Sequence, residues 1–265
     1  SQWFLLIMPF FILFYQESGL SFNEIFWVQF WYNTAAWAME IPSGYLGDRL
    51  TRKTSLMMGT FLAGSGFLTY YFSSDFGFFV LAALLMGVGT SFISGSDSAL
   101  LYDTLIDLKR EDDYLKYEGK ASAFGNFAES LAAIIGGLIA INFSIETNLL
   151  VQGCLLMFSC LLVISCKEPE HTKQYEKVSF VKALKFLYTE MTTNKRFGHI
   201  MLFSSFMGVN SLAMAWLMQP YMQLHLGWSV KEAIPITEVF ESTWSEMTQN
   251  GIAWVLLWCL LNSVV

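Results

Sequence analysis

Four acidic residues lie inside long apolar stretches of the chain, where an ionisable side chain is costly. They are Glu40, Asp97, Asp103 and Glu129. Ionisable groups within a membrane usually face a bundle interior or a water-filled cavity, and they commonly mark a path for ions or solutes. If Glu129 faces a cavity, desolvation favours its protonated form, so this side chain can bind a proton or a cationic solute. The alternative for all four residues is a hydrogen bond to a neighbouring helix that only fixes packing.

A second candidate is the stretch from Glu40 to Lys53, which joins two apolar segments through a very short polar turn. Its small and charged residues are Gly44, Asp48, Arg49, Arg52 and Lys53. Gly44 allows a tight approach of helices, and Asp48 can accept hydrogen bonds from the N-terminus of the helix that follows. The three basic side chains can pair with carboxylates on neighbouring helices, Asp103 among them, and such pairs can act as a gate. Alternatively, the basic residues only anchor the topology of the chain.

The composition places these residues in a membrane protein. Of the 265 residues, 54% are hydrophobic, 17% are aromatic and only 14% are charged, and the mean hydropathy is +0.46. A soluble domain carries about 25% charged residues, and a soluble fold of this size needs polar surface that this chain lacks. The net charge of −7 argues against nucleic acid as a partner. These figures predict a multi-pass protein of the lipid bilayer with an all-α fold.

Eight segments are candidates for spanning helices, since about 20 mostly apolar residues cross a bilayer. They are 2–15, 25–47, 54–72, 77–105, 119–142, 147–166, 197–222 and 250–265. The first and last are short because the sequence begins and ends inside them. We therefore interpret the chain as a part of a longer protein.

The basic residues are concentrated in alternate loops between these segments. Fourteen of the 15 Lys and Arg residues fall in or beside the second, fourth and sixth loops, and only Lys231 falls in an odd-numbered one. The positive-inside rule places the even-numbered loops in the cytoplasm. An even number of spans separates any two of these loops, as that orientation requires. We expect a protein of the cell membrane, with basic loops inside and an acidic outer face.

The sequence indicates no metal, cofactor or enzymatic site. The four cysteines lie in apolar segments without a CxxC spacing, and the three histidines are scattered. Cysteines in such positions are typical of small apolar core residues. The chain has no HExxH, GxSxG or P-loop motif. We expect a protein that is not an enzyme, while coupling to a proton or ion gradient stays open.

The apolar segments divide the chain into three parts. Residues 1–166 hold the first six spans, 167–196 are mostly polar, and 197–265 hold the last two spans. Within the polar part, apolar residues recur at helical spacing over 178–188, with lysines between them. This pattern is typical of a basic amphipathic helix on a membrane surface. We predict a six-helix bundle, a cytoplasmic linker and the start of a second bundle.

The stretch around Gly44 resembles the loop signature of the major facilitator superfamily, Gly-x-x-x-Asp-Arg-x-Gly-Arg-Arg/Lys, between the second and third helices. The matching positions are Gly44, Asp48, Arg49, Arg52 and Lys53, while Thr51 stands where the family usually has glycine. The preceding Glu40-x-Pro42-Ser43-Gly44 and the fourth-span run from Ser94 to Leu105 are similar to a bacterial branch of the superfamily. Together with the order of spans and linker, the resemblance covers the whole chain.

The resemblance implies a twelve-helix transporter, of which this chain holds about two thirds. It also implies secondary active transport of a small solute by alternating access, with the solute bound between two bundles near the middle of the membrane. Many proton-coupled members have an arginine where this chain has Ala83, and drug–proton antiporters have Gly-Pro where it has Ala132-Ala133. If transport is coupled to protons, Glu129 or Asp97 has to carry them.

Three aromatic residues, Phe30, Trp31 and Trp37, can either line the solute site or pack against lipid and other helices. Two other functions stay open beside transport. One is a non-transporting receptor or scaffold on the same fold, and the other is a polytopic membrane enzyme, which would need a convergent catalytic set of residues. The identity of the solute, the direction of transport and the oligomeric state do not follow from the sequence.

Overall fold

The computed structural model describes residues 5–166, 168–169, 189–190, 193–196, 198–200, 203 and 206, the side chains of residues 48 and 49 excepted. The described residues up to 169 belong to one compact unit, and those from 189 onward belong to a second. The predicted amphipathic helix at 178–188 and the last predicted span lie outside the described residues, as does most of 197–222. The predicted division at 166 and 196 therefore stays a prediction.

The first unit is all-α in its described residues, which contain no β-strand. Its seven α-helices are α1 (Phe11–Glu17), α2 (Phe22–Arg49), α3 (Arg52–Tyr71), α4 (Phe76–Ile93), α5 (Ser96–Asp107), α6 (Tyr114–Asn142) and α7 (Ile145–Ser165). Short 3-10 turns precede α1 at Met8–Phe10 and α6 at Glu111–Asp113. Helices α2, α3, α6 and α7 match four of the predicted spans, with ends shifted by up to five residues. The predicted all-α class is confirmed.

Two predicted spans are interrupted in the structure, although the second of them corresponds to the apolar stretch Phe76–Asp107. The helix expected over 2–15 begins only at Phe11 in its described part, because Pro9 lies in a 3-10 turn and has no backbone N–H to donate. The span expected over 77–105 is broken between α4 and α5 at Ser94 and Gly95. Gly95 has a φ of +74°, in the left-handed region that interrupts a right-handed helix and favours glycine. Hydropathy alone does not register such a break.

Helix α2 begins at a capping box. The Ser21 hydroxyl accepts a hydrogen bond from the Glu24 amide, and the Glu24 carboxylate accepts one from the Ser21 amide at 2.9 Å. These bonds satisfy two amides that a helix N-terminus would otherwise leave without partners. The hydrogen bonds from the Ser21 side chain and amide also hold the pKa of Glu24 below its ordinary value. The start of α2 is thus fixed locally by its own sequence.

Helix α3 packs against both α4 and α7 through its small residues. A side chain at Gly59 would stand 2.8 Å from the carbonyl oxygen of Gly89 on α4, and one at Gly64 would stand 3.3 Å from that of Gly153 on α7. Small residues allow this backbone approach where lipid provides no hydrophobic drive between helices. Helix α3 is therefore the centre of the described bundle.

Three helical stretches of the described residues are long and apolar enough to cross a membrane. They are Phe76–Asp107, Glu111–Asn142 and Ile145–Ser165. Helices α2 and α3 are not among them, although both match predicted spans. In α3 the polar residues Ser55 and Thr60 are buried against the bundle. These two polar residues of α3 therefore face protein.

An aromatic cluster holds α1 against α3 and α4. The Tyr15 and Tyr70 hydroxyl groups are 2.9 Å apart, and both rings are buried. Phe11, Phe14 and Phe79 surround them, with ring centroids 4.9–6.3 Å from one of the two tyrosines. Edge-to-face and tilted ring pairs at such distances each contribute about 0.5–1.5 kcal/mol beyond the burial of area. The cluster ties the short helix α1 to the rest of the unit.

Replacing Gly59 by alanine tests the contact between α3 and α4. The new methyl group would stand 2.8 Å from the Gly89 carbonyl oxygen and 2.7 Å from Ile93 Cγ1, so we expect overpacking to cost about 1–3 kcal/mol. Thermal unfolding in detergent measures this loss. Gly119→Ala is the matched control, because Gly119 is also helical and has open space around it. Equal melting temperatures for the two variants would contradict the packing described here.

Candidate functional site

A cavity of about 800 Å³ is lined by residues of α2, α4, α5 and α6. Its lining contains the carboxylates of Asp97, Glu118 and Glu129, and no basic side chain is present among the described lining residues. Hydroxyl groups complete its polar surface, from Tyr32, Thr90, Ser94, Ser98 and Ser122. A volume of this size accommodates a small molecule. The structure thus brings the predicted Asp97 and Glu129 to one cavity, whose lining does not include Glu40 or Asp103.

Ser98 links two of the three carboxylates. Its hydroxyl group donates a hydrogen bond to Glu118 Oε1 at 2.9 Å, and its amide donates one to Asp97 Oδ1 at 2.8 Å. Asp97 lies in the first turn of α5, where a negative charge is favourable next to the helix N-terminus. This local arrangement lowers the cost of holding two carboxylates in a largely apolar bundle.

The sequence interpretation missed Glu118. It placed the fifth span at 119–142, whereas α6 begins at Tyr114, so Glu118 belongs to the helix and not to the loop before it. A signal was present in the spacing. Glu118 and Glu129 are eleven residues apart, which is about three helical turns, so both side chains lie on one face of α6.

The three aromatic residues proposed for the solute site are on α2 but outside this cavity. Phe30, Trp31 and Trp37 are 51%, 40% and 81% exposed, and none of them is among the described lining residues. Phe30 packs edge-to-face on Trp31 at a centroid distance of 5.6 Å. Tyr32 is the aromatic residue of α2 that reaches the cavity.

The break between α4 and α5 is surrounded by serine hydroxyl groups. Ser43 on α2 donates a hydrogen bond to the carbonyl oxygen of Ser91 at 2.8 Å, and Ser55 on α3 donates one to that of Phe92 at 3.2 Å. Ser96 donates to Ser55 Oγ at 3.0 Å. All five residues that take part in these hydrogen bonds are buried.

Glu40 also lies at this break. Its carboxylate accepts a hydrogen bond from the Ser94 hydroxyl at 3.1 Å, and both residues are exposed on the described unit. Glu40 thus contacts the residue that separates α4 from α5. This places it close to the cavity, whose lining includes Ser94.

Arg52 and Asp103 form an ion pair at the other end of α5. Arg52 Nε lies 3.9 Å from Asp103 Oδ2, and the two side chains are 16% and 2% exposed. Arg52 is the first residue of α3, and Asp103 lies on the buried face of α5. The structure therefore joins a residue of the predicted loop motif to the carboxylate expected as its partner.

Glu168 caps the start of α3, and Lys53 caps the end of α7. The Glu168 carboxylate accepts hydrogen bonds from the amides of Arg52 and Lys53, both at 3.1 Å. Lys53 Nζ donates to the carbonyl oxygens of Ile164 and Cys166 at the C-terminus of α7, the latter at 2.8 Å. A negative charge at the start of α3 and a positive charge at the end of α7 both complement the helix dipoles. Glu168 was missed, because a contact across 115 residues has no local sequence signal.

The remaining motif residues are placed less fully. A side chain at Gly44 would meet no described atom within 4 Å, so the close approach expected there is not found. A Cβ at Gly47 would instead stand 3.3 Å from Ser55 Oγ on α3. Asp48 and Arg49 lie in the last turn of α2, and their side chains are outside the described residues. Their predicted roles stay predictions. At the start of α3, the Thr54 amide donates to Thr51 Oγ1 at 3.1 Å, which makes Thr51 its N-cap.

Within the described residues, no group of three or more His, Cys, Asp or Glu side chains is arranged to hold a metal ion.

Comparison with known proteins identifies the family. The family model described as "Major Facilitator Superfamily" matches residues 2–261. The methyl viologen resistance protein SmvA, from two strains of Salmonella typhimurium, is 29% identical over 125 residues. That match covers 47% of this chain and 25% of the relative, so the chain corresponds to only part of such a protein. No solved structure matches the chain. Because the family model spans nearly the whole sequence, the chain belongs to the Major Facilitator Superfamily of membrane transport proteins.

Proposed function

We propose that the protein is a secondary active transporter that moves a small cationic solute by alternating access. The observation that carries this proposal is the cavity, which has three carboxylates, several hydroxyl groups and no basic side chain among its described lining residues. A cation is attracted to such a lining, whereas an anion is repelled by it. Membership of a transporter family supplies the reason to interpret the cavity as a solute site.

The relative supports the same class of solute. Methyl viologen, to which SmvA confers resistance by its name, is an organic dication with two aromatic rings. The lining of the cavity offers carboxylates for the charges and the Tyr32 ring for stacking, and cations are attracted to aromatic faces. Glu118 and Glu129 lie about 16 Å apart along α6. An elongated cation can therefore approach one carboxylate after the other along a single wall.

We place the protein in the cell membrane with its basic loops in the cytoplasm. The structure supports one common face for these loops, because the start of α3, the Asp103 side of α5 and the residues after α7 meet through Arg52, Lys53 and Glu168. The excess of basic residues in these loops then gives the side. In this orientation the Arg52–Asp103 pair lies between the cavity and the cytoplasm and serves as part of a gate. Coupling to protons, where present, would use Glu129 or Asp97.

Neutralising the cavity carboxylates tests the proposed solute class. We expect Glu129→Gln and Asp97→Asn each to lower the uptake of methyl viologen into proteoliposomes by about tenfold or more. The reason is that a lost charge-assisted contact is worth about 1.5–3 kcal/mol, and each 1.4 kcal/mol is a factor of ten. Glu111→Gln is the control, because it removes an exposed carboxylate outside the cavity.

Uptake that is equal in wild type and in both cavity variants would contradict the cation site. A wild-type protein that binds the solute but does not move it would point instead to a receptor on the same fold. If the Glu129→Gln variant moves a neutral or anionic solute at the wild-type rate, the protein is a transporter, but the proposed cationic class of solute is excluded.

A double-mutant cycle at Arg52 and Asp103 tests the gate. Arg52→Gln leaves a carboxylate that is 2% exposed without this partner, so we expect it to cost a few kcal/mol of stability. Adding Asp103→Asn should recover part of that loss, with a coupling energy of about 0.5–3 kcal/mol. Thermal unfolding of the two single variants and the double variant gives this energy. Lys109→Gln, which removes an exposed charge in the predicted fourth loop, should leave stability within about 0.5 kcal/mol. Strict additivity at Arg52 and Asp103 would exclude an energetic role for the pair.

A further inference from the structure

We propose that Ser43 and Ser55 are positioning residues, whose hydroxyl groups hold the break between α4 and α5 open. Through this break they place Asp97 in the cavity and Asp103 beside Arg52. The geometric part of this inference depends only on the fold. Its consequence for solute binding rests on the proposed function.

The carbonyl groups at the end of α4 are the first step. In an unbroken helix, the carbonyls of Ser91 and Phe92 would accept hydrogen bonds from the amides four residues later, at Gly95 and Ser96. Helix α4 ends at Ile93, and Ser91 and Phe92 are 2% and 3% exposed. Backbone groups inside a membrane must find protein partners, because no water is available there. A break at this depth is tolerated only where such partners exist.

Ser43 and Ser55 supply those partners from two different helices. The Ser43 hydroxyl on α2 donates to the Ser91 carbonyl oxygen at 2.8 Å, with the Glu40 carbonyl oxygen of its own helix as a second acceptor at 3.0 Å. Ser55 donates from α3 to the Phe92 carbonyl oxygen at 3.2 Å. Both serines are themselves buried, at 2% and 0% exposure. Their hydroxyl groups therefore take the place of the two missing helical amides. The left-handed φ of Gly95 then redirects the chain without strain.

Two more hydrogen bonds fix one residue within the break and one just after it. Ser96, the first residue of α5, donates to Ser55 Oγ at 3.0 Å. Ser94 donates to the Glu40 carboxylate at 3.1 Å. Ser55 is thus bonded to the last turn of α4 and to the first turn of α5 at once. It acts as the joint between the two helices.

Helix α5 carries the two carboxylates whose positions depend on this joint. It has only twelve residues, with Asp97 and Ser98 in its first turn at the cavity and Asp103 at the ion pair with Arg52. A single short helix moves as a unit, so its direction at the break sets both ends. If α4 and α5 joined into one regular helix, the amides of Gly95 and Ser96 would bond to Ser91 and Phe92, and the direction of α5 relative to the cavity and Arg52 would change.

Spin-label distances across the break test the geometry. Labels at Leu81 on α4 and Leu108 at the end of α5 are on exposed positions, in a variant whose four cysteines are replaced by serine. A continuous helix would separate these two backbone positions by about 40 Å. In the Ser43→Ala/Ser55→Ala variant we expect the distance distribution to shift toward that value, relative to the wild type. A wild-type distribution in the double variant would overturn the proposal.

Matched variants separate positioning from general destabilisation. Ser91→Ala removes a buried hydroxyl at the same place, but one that donates to Val88 within its own helix at 2.7 Å, so its distances should stay at wild-type values. Ser43→Thr keeps the hydroxyl group, so its spin-label distance distribution should be that of the wild type. If the double variant does not fold, each single alanine variant should show a second, longer distance population. Single variants with only the wild-type population would equally overturn the proposal.

Binding of methyl viologen to the purified protein gives the functional readout. We expect the Ser→Ala variants to raise its dissociation constant by about tenfold, while Ser91→Ala leaves it unchanged, because only the former displace Asp97. Weakened binding together with wild-type spin-label distances would overturn the positioning role. If the wild-type protein does not bind methyl viologen, the proposed solute class fails, and the spin-label distances still decide the role of the two serines.

Discussion

The carbonyl groups of Ser91 and Phe92 need hydrogen-bond donors inside an apolar bundle, because helix α4 ends at Ile93. Hydroxyl groups from α2 and α3 donate to these carbonyl oxygens. These hydrogen bonds offset the cost of leaving the two carbonyls without helical partners at the break. The cavity lies beside this break, since Ser94, Gly95, Asp97 and Ser98 all line it.

Helix α3 carries much of the remaining organisation. Its glycines bring α4 and α7 into backbone contact, its Ser55 supports the break, and its first turn receives Glu168 and faces Asp103. These demands explain why α3 is more polar than the three stretches that are apolar enough to cross a membrane. Polar residues that bind neighbouring helices lower the hydropathy of a helix without exposing it to lipid.

Much of the fold followed from the length and order of apolar runs, because crossing a bilayer imposes one length on every helix. The break at Gly95 did not, since a φ of +74° changes the direction of the chain without changing its hydropathy. Asp97 and Glu129 were identifiable as costly charges in apolar runs. Glu118 was not, because it lies just before the expected start of its span, and a boundary error of five residues was enough to assign it to a loop.

Residues whose roles depend on distant partners were the hardest to predict. Glu168 binds the start of α3 from more than 100 residues away, and nothing near it in the sequence indicates this contact. A close approach of helices was expected at Gly44, whereas the structure has α2 close to α3 about one helical turn later, at Gly47. Composition identifies glycine as the residue that permits such an approach, but the face of the helix is set by the tertiary packing.

Helix α5 carries a carboxylate toward each of its ends. Asp103 faces Arg52 at one end, and Asp97 lies at the other end in a lining that contributes no basic side chain among the described residues. Near a protein surface, two unit charges 4 Å apart interact by about 4 kcal/mol. A cation that reaches Asp97 therefore attracts α5 by the same kind of interaction as Arg52 does at Asp103. Because both carboxylates belong to one short helix joined to α4 by a bend, the charge in the cavity and the ion pair at the other end both bear on the position of that helix.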